Sequence, residues 1–112
     1  MRHKLADLAI EAEIGRLFAH RVAWMQRKGL SLGHLPSVSR LFGAELQQRV
    51  AQVGMEVLGL YGQLGLGSYR SMLEGRIALK YLASVAATIS AGTAEMQWNI
   101  IATRGLAMMD VK

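Results

Sequence analysis

The chain has 112 residues, 52% of them hydrophobic and 19% charged, which suits one folded domain and excludes a disordered or low-complexity segment. It has no cysteine, which excludes disulfides and thiol chemistry. The net charge of +5 is scattered, with Arg2-His3-Lys4 the tightest group, so the clustered basic patch of a nucleic-acid-binding domain is missing.

Arg2-His3-Lys4 is not followed by an apolar signal core, because Asp7, Glu11 and Glu13 interrupt. Leu5 to Arg27 then reads as a long amphipathic helix. Leu5, Leu8, Ala12, Phe18-Ala19, Val22 and Met25 recur at three- and four-residue steps. Acidic residues lead and basic residues trail, as the helix dipole favours. Lys28-Gly29 ends the helix, with Gly29 as a left-handed cap. A loop leads to Pro36, placed for a first helical turn. The second helix runs over 37–58. Val38, Leu41-Phe42, Leu46, Val50, Val53 and Val57 form its apolar stripe. Arg40, Glu45, Gln47-Gln48, Gln52 and Glu56 form its wet face.

Gly59, Gly62, Gly65 and Gly67 make a glycine-rich connection. No Gly-Lys-Ser/Thr follows, so it is not a Walker loop; a turn that lets the chain cross the helices is the simpler reading. Residues 68–73 are irregular. A third helix is expected over 74–89, with Ala78, Leu82, Val85 and Ile89 on one face, and a fourth over 94–108. Between them Ala91-Gly92 supplies a sharp bend. Thr93 is placed to cap the fourth helix, and Glu95 sits in its first turn. Residues 109–112 are expected to fray. The longest uncharged apolar run, Tyr81 to Ala94, is too short to span a membrane. Together with the missing cysteine and signal core, this fits a cytoplasmic protein with no membrane insertion.

The expected fold is therefore all-α: one domain over 1–112, an up-and-down antiparallel bundle of three to four helices. Its apolar content exceeds what one small core needs, so part of the surface is expected to be covered by a partner or a second copy. His3, His20 and His34 are far apart and no His-x-x-x-His or Glu-x-x-His pair exists, so no metal site is expected. Trp24 and Trp98 suit either stacking on an adenine or burial in a core or interface.

Ile89 to Leu106 reads I-S-A-G-T-A-E-M-Q-W-N-I-I-A-T-R-G-L. This resembles the C-terminal signature of the acyl-CoA dehydrogenase family, I-x-x-G-T-x-E-x-Q-x-x-I-I-A-x-x-x-L, nearly residue for residue. Two further blocks resemble the same family: Leu5-Ala6-Asp7 with Glu11-Ala12-Glu13, and Ser37 to Glu45 (S-V-S-R-L-F-G-A-E). The resemblance covers nearly the whole chain but only the last part of a typical member. It implies a C-terminal helical domain without the N-terminal helical domain and the middle β-domain.

The resemblance implies FAD as cofactor and an acyl-CoA thioester as substrate of the complete enzyme. It also implies a homo-oligomer, dimer or tetramer, or association with another acyl-CoA dehydrogenase subunit. Thr93 and Glu95 fall where family residues contact the flavin's ribose and phosphates. Glu56 and Gly59 fall in the family stretch Q-I-x-G-G-x-G, which holds the diphosphate of a neighbouring subunit's flavin. Here Glu56 replaces the glutamine and Leu60 the second glycine, which sets a carboxylate beside a diphosphate unless a cation intervenes. The glutamate that serves many members as base directly precedes the Gly-Thr pair. Ala91 stands there, so no catalytic residue is assigned to this chain. The expectation is a part that is inactive alone; the alternative is a non-enzymatic helical assembly module.

Overall fold

In this computed structural model, residues 1–90 and 92–108 are described; Ala91 and residues 109–112, with the bend and the fraying expected of them, lie outside the described residues. Four helices form: α1 (Arg2–Arg27), α2 (Leu35–Leu58), α3 (Arg76–Ala87) and α4 (Ala94–Gly105). Single 3₁₀ turns occupy Gly59–Gln63 and Met72–Gly75, and no strand is present among the described residues.

The local signals explain the helix ends. Gly29 adopts φ 67°, its N–H donates to the Gln26 carbonyl (3.1 Å) and that of Leu30 to the Met25 carbonyl (3.0 Å). This paired closure stops α1 by satisfying its last carbonyls. α1 starts three residues before the expected Leu5, so its first turn is basic rather than acidic. Lys4 compensates by pairing with Glu56 of α2 at 2.6 Å. Pro36 lies in the first turn of α2, where a missing N–H costs nothing.

α2 is the shared partner of the other three helices. Lys4 pairs with Glu56, Glu11 with Arg49 at 2.9 Å, and Phe18 packs edge-on against Phe42 with centroids 5.6 Å apart. Rising numbers on α1 meet falling numbers on α2, so the two run antiparallel. α3 is antiparallel to α2 as well: Ile77 lies against Gly54, and the Ala87 carbonyl lies against Arg40. α4 continues the same way along the first half of α2, with Ala94 and Gln97 beside Ala44 and Glu45, and Gly105 against His34.

Two sequence expectations change. The third helix begins at Arg76 rather than residue 74, because Leu73, Glu74 and Gly75 all take positive φ. Its inward face holds Ile77, Tyr81 and Ser84, whereas Leu82, Val85 and Ile89 face outward. α3 is apolar nearly all round, so periodicity alone did not choose its face. α4 ends at Gly105, short of the expected Met108.

The core is thin. Leu41, Ala44 and Ala51, all on α2, are the buried apolar residues, and no described side chain is fully buried. The molecule measures 53 × 31 × 25 Å, and its radius of gyration is 17.2 Å, against about 13 Å for a compact domain of this length. It exposes 8394 Å², where a folded monomer of 12.3 kDa exposes about 6,100 Å², an excess of roughly 2,300 Å². Much of that excess is apolar: Ile10, Leu17, Trp24, Leu79, Leu82 and Trp98 are all exposed. Trp24 and Trp98 are thus not core residues. No described helix is long and apolar enough to cross a membrane.

Candidate functional site

The residues singled out by sequence fall in two places. The first is the turn from α3 into α4. Gly92 has φ 100°, and a Cβ there would meet the Gln97 amide nitrogen at 2.8 Å. Thr93 is extended (φ −63°, ψ 162°) and its hydroxyl accepts from the Met96 N–H at 3.4 Å. That is the capping role its position foretells. Glu95 follows in the first turn of α4. Its carboxyl is held below its usual range, first by its own backbone N–H and then by the Thr93 hydroxyl. The end of α4 thus combines a hydroxyl, an ionised carboxylate and the N–H groups of a helix start.

This turn is fastened by a residue that the sequence pattern assigned to solvent. Arg40 of α2 is half-buried and points inward. Its guanidinium donates to the Ala87 carbonyl at 3.1 Å, to the Ser90 hydroxyl at 3.3 Å and to the Ser90 carbonyl. A cation at the last carbonyls of α3 also complements that helix's negative end. The Arg40 Nε is buried with no partner among the described residues. The heptad pattern puts Arg40 beside Leu41 at the edge of the apolar stripe, and only the packing of α3 decides which way it turns. Ala91 lies outside the described residues.

The second place is the C-terminal end of α2. Gly59 caps it (φ 55°, ψ −134°) and the chain continues in a 3₁₀ turn. Gly62 is buried there, and a Cβ on it would sit 3.2 Å from the Met55 carbonyl oxygen. Glu56 is exposed and bonded to Lys4. Lys4 is the cation that a carboxylate beside a diphosphate requires, a pairing across 52 positions that sequence spacing does not reveal. Leu60 is 82% exposed and fills no space in the fold.

One chain does not bring these two places together. Thr93 and Glu95 lie near Arg40 to Glu45 on α2, whereas Glu56 lies three turns further on, about 16 Å along the axis at 1.5 Å per residue. No described group of His, Asp and Glu is arranged to hold a metal ion. A groove of about 410 Å³ runs between α2 and α3, lined by Leu46, Val50, Ala51, Ile77 and Ala83 with Lys80 at hand. It is apolar and open, and carries no set of acid, base and nucleophile. Two polar edges on an all-helical scaffold suit holding parts of a long anionic ligand, not bond-breaking.

The comparisons with known proteins agree with that architecture. A family model described as acyl-CoA dehydrogenase, C-terminal domain, matches residues 1–106. The acyl-CoA dehydrogenase FadE26 of Mycobacterium tuberculosis (strain ATCC 25618 / H37Rv) is 31% identical over 107 residues, which are 93% of this chain and 27% of that protein. The crystal structure of the ChsE4-ChsE5 complex from Mycobacterium tuberculosis superposes with a TM-score of 0.89 at 30% identity, covering 98% of this chain and 28% of that one. The Tcur3481-Tcur3483 steroid ACAD has the same fold, with a TM-score of 0.91 at 23% identity, over 96% of this chain and 28% of that one. The chain thus spans little more than a quarter of the length of these relatives. With the signature from Ile89 to Leu106 and the four-helix architecture both in place, the chain belongs to the acyl-CoA dehydrogenase family, matching its C-terminal domain.

Proposed function

We propose that this chain is the C-terminal helical part of an FAD-dependent acyl-CoA dehydrogenase. It supplies contact surface between subunits and edges of the FAD site, and it is inactive alone. In the complete enzyme FAD accepts the hydride when an acyl-CoA thioester is desaturated between its α and β carbons. The residues here suit parts of that cofactor's rim. Thr93 and the start of α4 offer a hydroxyl and N–H donors to ribose or phosphate. Gly59 leaves its backbone uncovered, and Lys4 offsets the charge of Glu56.

The observation that carries this reading is the separation of the two edges along α2. One chain cannot wrap both around one dinucleotide, whereas an assembly can set the Thr93 edge of one subunit and the Glu56–Gly59 edge of another on different cofactors. Ala91 supplies no carboxylate, so proton abstraction falls to a group elsewhere in the complete protein or on another subunit. The two solved relatives are described as two-component assemblies, which supports association with a different acyl-CoA dehydrogenase subunit. A second reading, a non-enzymatic assembly module, is favoured by Ala91, Glu56 and Leu60 together.

The test is to purify the chain alone and together with an acyl-CoA dehydrogenase subunit that carries the β-domain, and to record mass and visible spectrum. The chain alone is expected to be colourless. The mixture is expected to form a yellow complex whose flavin content falls when Thr93→Ala is introduced into this chain. A complex with full flavin content in both cases favours the assembly module, and a yellow sample of the chain alone overturns the shared-site reading.

A further inference from the structure

α1 carries two stripes. One faces α2, where Leu8, Gly15, Phe18, Val22 and Met25 are partly covered. The other holds Ile10, Ile14, Leu17, Arg21 and Trp24, at alternating steps of four and three residues. Alternating steps of that kind keep one seam straight along a helix and mark a surface that packs on another helix. Within the chain α2 is the one helix on which α1 packs substantially. The four apolar members of the second stripe are exposed by 60%, 38%, 56% and 55%.

We propose that this seam docks a second copy of the chain, α1 against α1, antiparallel, with a two-fold axis at Leu17. The assignment deepens the assembly part of the proposed function and needs no flavin. The occupant follows from charge order. Outside its first turn, α1 has acidic groups early (Asp7, Glu13) and basic groups late (Arg21, Arg27, Lys28). An antiparallel pairing centred on Leu17 sets Ile10 on Trp24, Asp7 beside Arg27 and Lys28, and Glu13 beside Arg21. A parallel pairing sets each charge against itself, which is repulsive. Glu13 also holds its own Arg16 through paired hydrogen bonds of 2.9 and 2.5 Å, so it serves as a shared acceptor. The basic start, Arg2-His3-Lys4, falls opposite residues beyond the Gly29 cap and meets no like-charged helix.

Area argues the same way. The surface in excess of a compact monomer, roughly 2,300 Å², is what a subunit of an obligate dimer covers, since such interfaces bury about 2,000–5,000 Å² over both partners. An isologous contact closes on itself and leaves no sticky end.

The test uses the whole chain. Sedimentation at tens of micromolar is expected to give twice the 12.3 kDa chain mass. Leu17→Glu puts two carboxylates at the axis and is expected to halve the mass with unchanged helicity, since the site is exposed and Glu is a good helix former. Asp7→Lys is expected to weaken the dimer about tenfold, with Lys28→Glu in the same chain restoring it. The chain has no cysteine, so Leu17→Cys is expected to link copy to copy on oxidation, while Leu82→Cys, exposed on α3, does not. A monomeric wild type overturns both this surface and self-assembly. A dimer unaffected by Leu17→Glu, or one in which Leu17→Cys links no better than Leu82→Cys, overturns this surface and leaves assembly through another face.

Discussion

Replacing Gly75 with alanine tests the tertiary fold against the helix pattern. The pattern puts Gly75 inside the third helix, where Gly→Ala gains about 0.5–1 kcal/mol. In the structure Gly75 caps α3 in the left-handed region, φ 71°, and is buried. A Cβ there would lie 2.5 Å from the Gly65 carbonyl carbon and 2.7 Å from the Leu66 nitrogen. Both are backbone atoms, so no side chain can swing aside. Left-handed backbone costs a residue with a Cβ roughly 1–2 kcal/mol, and forcing two chain segments apart costs a further 1–3, roughly 2–5 kcal/mol in all. The segment displaced is the glycine-rich connection that follows the Glu56–Gly59 edge. Urea unfolding followed by circular dichroism, at fixed chain concentration because assembly adds to stability, is the assay. The midpoint is expected to fall by about 1–3 M. Gly43→Ala is the control: Gly43 is helical, a Cβ there meets nothing within 4 Å, and the variant is expected to gain up to about 1 kcal/mol. Equal stabilisation by both variants refutes the close crossing at Gly65–Leu66.

Arg40→Gln is expected to cost about 1–3 kcal/mol by leaving the last carbonyls of α3 without their charged donor. Amide exchange in the first turn of α4 is expected to speed up more than exchange in α1, and uniform acceleration refutes a local clasp. Thr93→Ala is expected to cost about 1 kcal/mol as a lost N-cap. The same change removes one cause of the low Glu95 pKa, so an NMR titration should show the Glu95 carboxyl moving up toward its ordinary 4.5. Because the folded-state value is depressed, Glu95 contributes stability that is fully present above pH 4.5 and is lost as pH falls through its folded pKa. Thr93→Ala should flatten that acid limb, and an unaltered Glu95 titration argues against the hydroxyl contact. Lys4→Ala removes an exposed pair and is expected to change stability by less than about 1 kcal/mol. A larger loss would mean that Lys4 anchors the first turn of α1.

Helix existence, the Gly29 stop, the Pro36 start, the Thr93 cap and the family signature were all legible in the residues. Each rests on contacts within about one helical turn or on a contiguous motif. The turn of Arg40 into the structure, the crossing of Gly75 over Gly65 and the pairing of Lys4 with Glu56 were not, because each joins residues far apart in the chain. The inward face of α3 was likewise undecided, since Leu79, Leu82, Val85 and Ile89 make it apolar on the outside too. The sequence by itself thus determined an all-helical acyl-CoA dehydrogenase C-terminal domain and the positions of its candidate cofactor edges. Only the tertiary structure decided that those edges lie three turns apart on α2 and that one face of α1 stays uncovered. The reason is physical: periodicity specifies that a helix has an apolar side, while packing specifies which neighbour, if any, covers it.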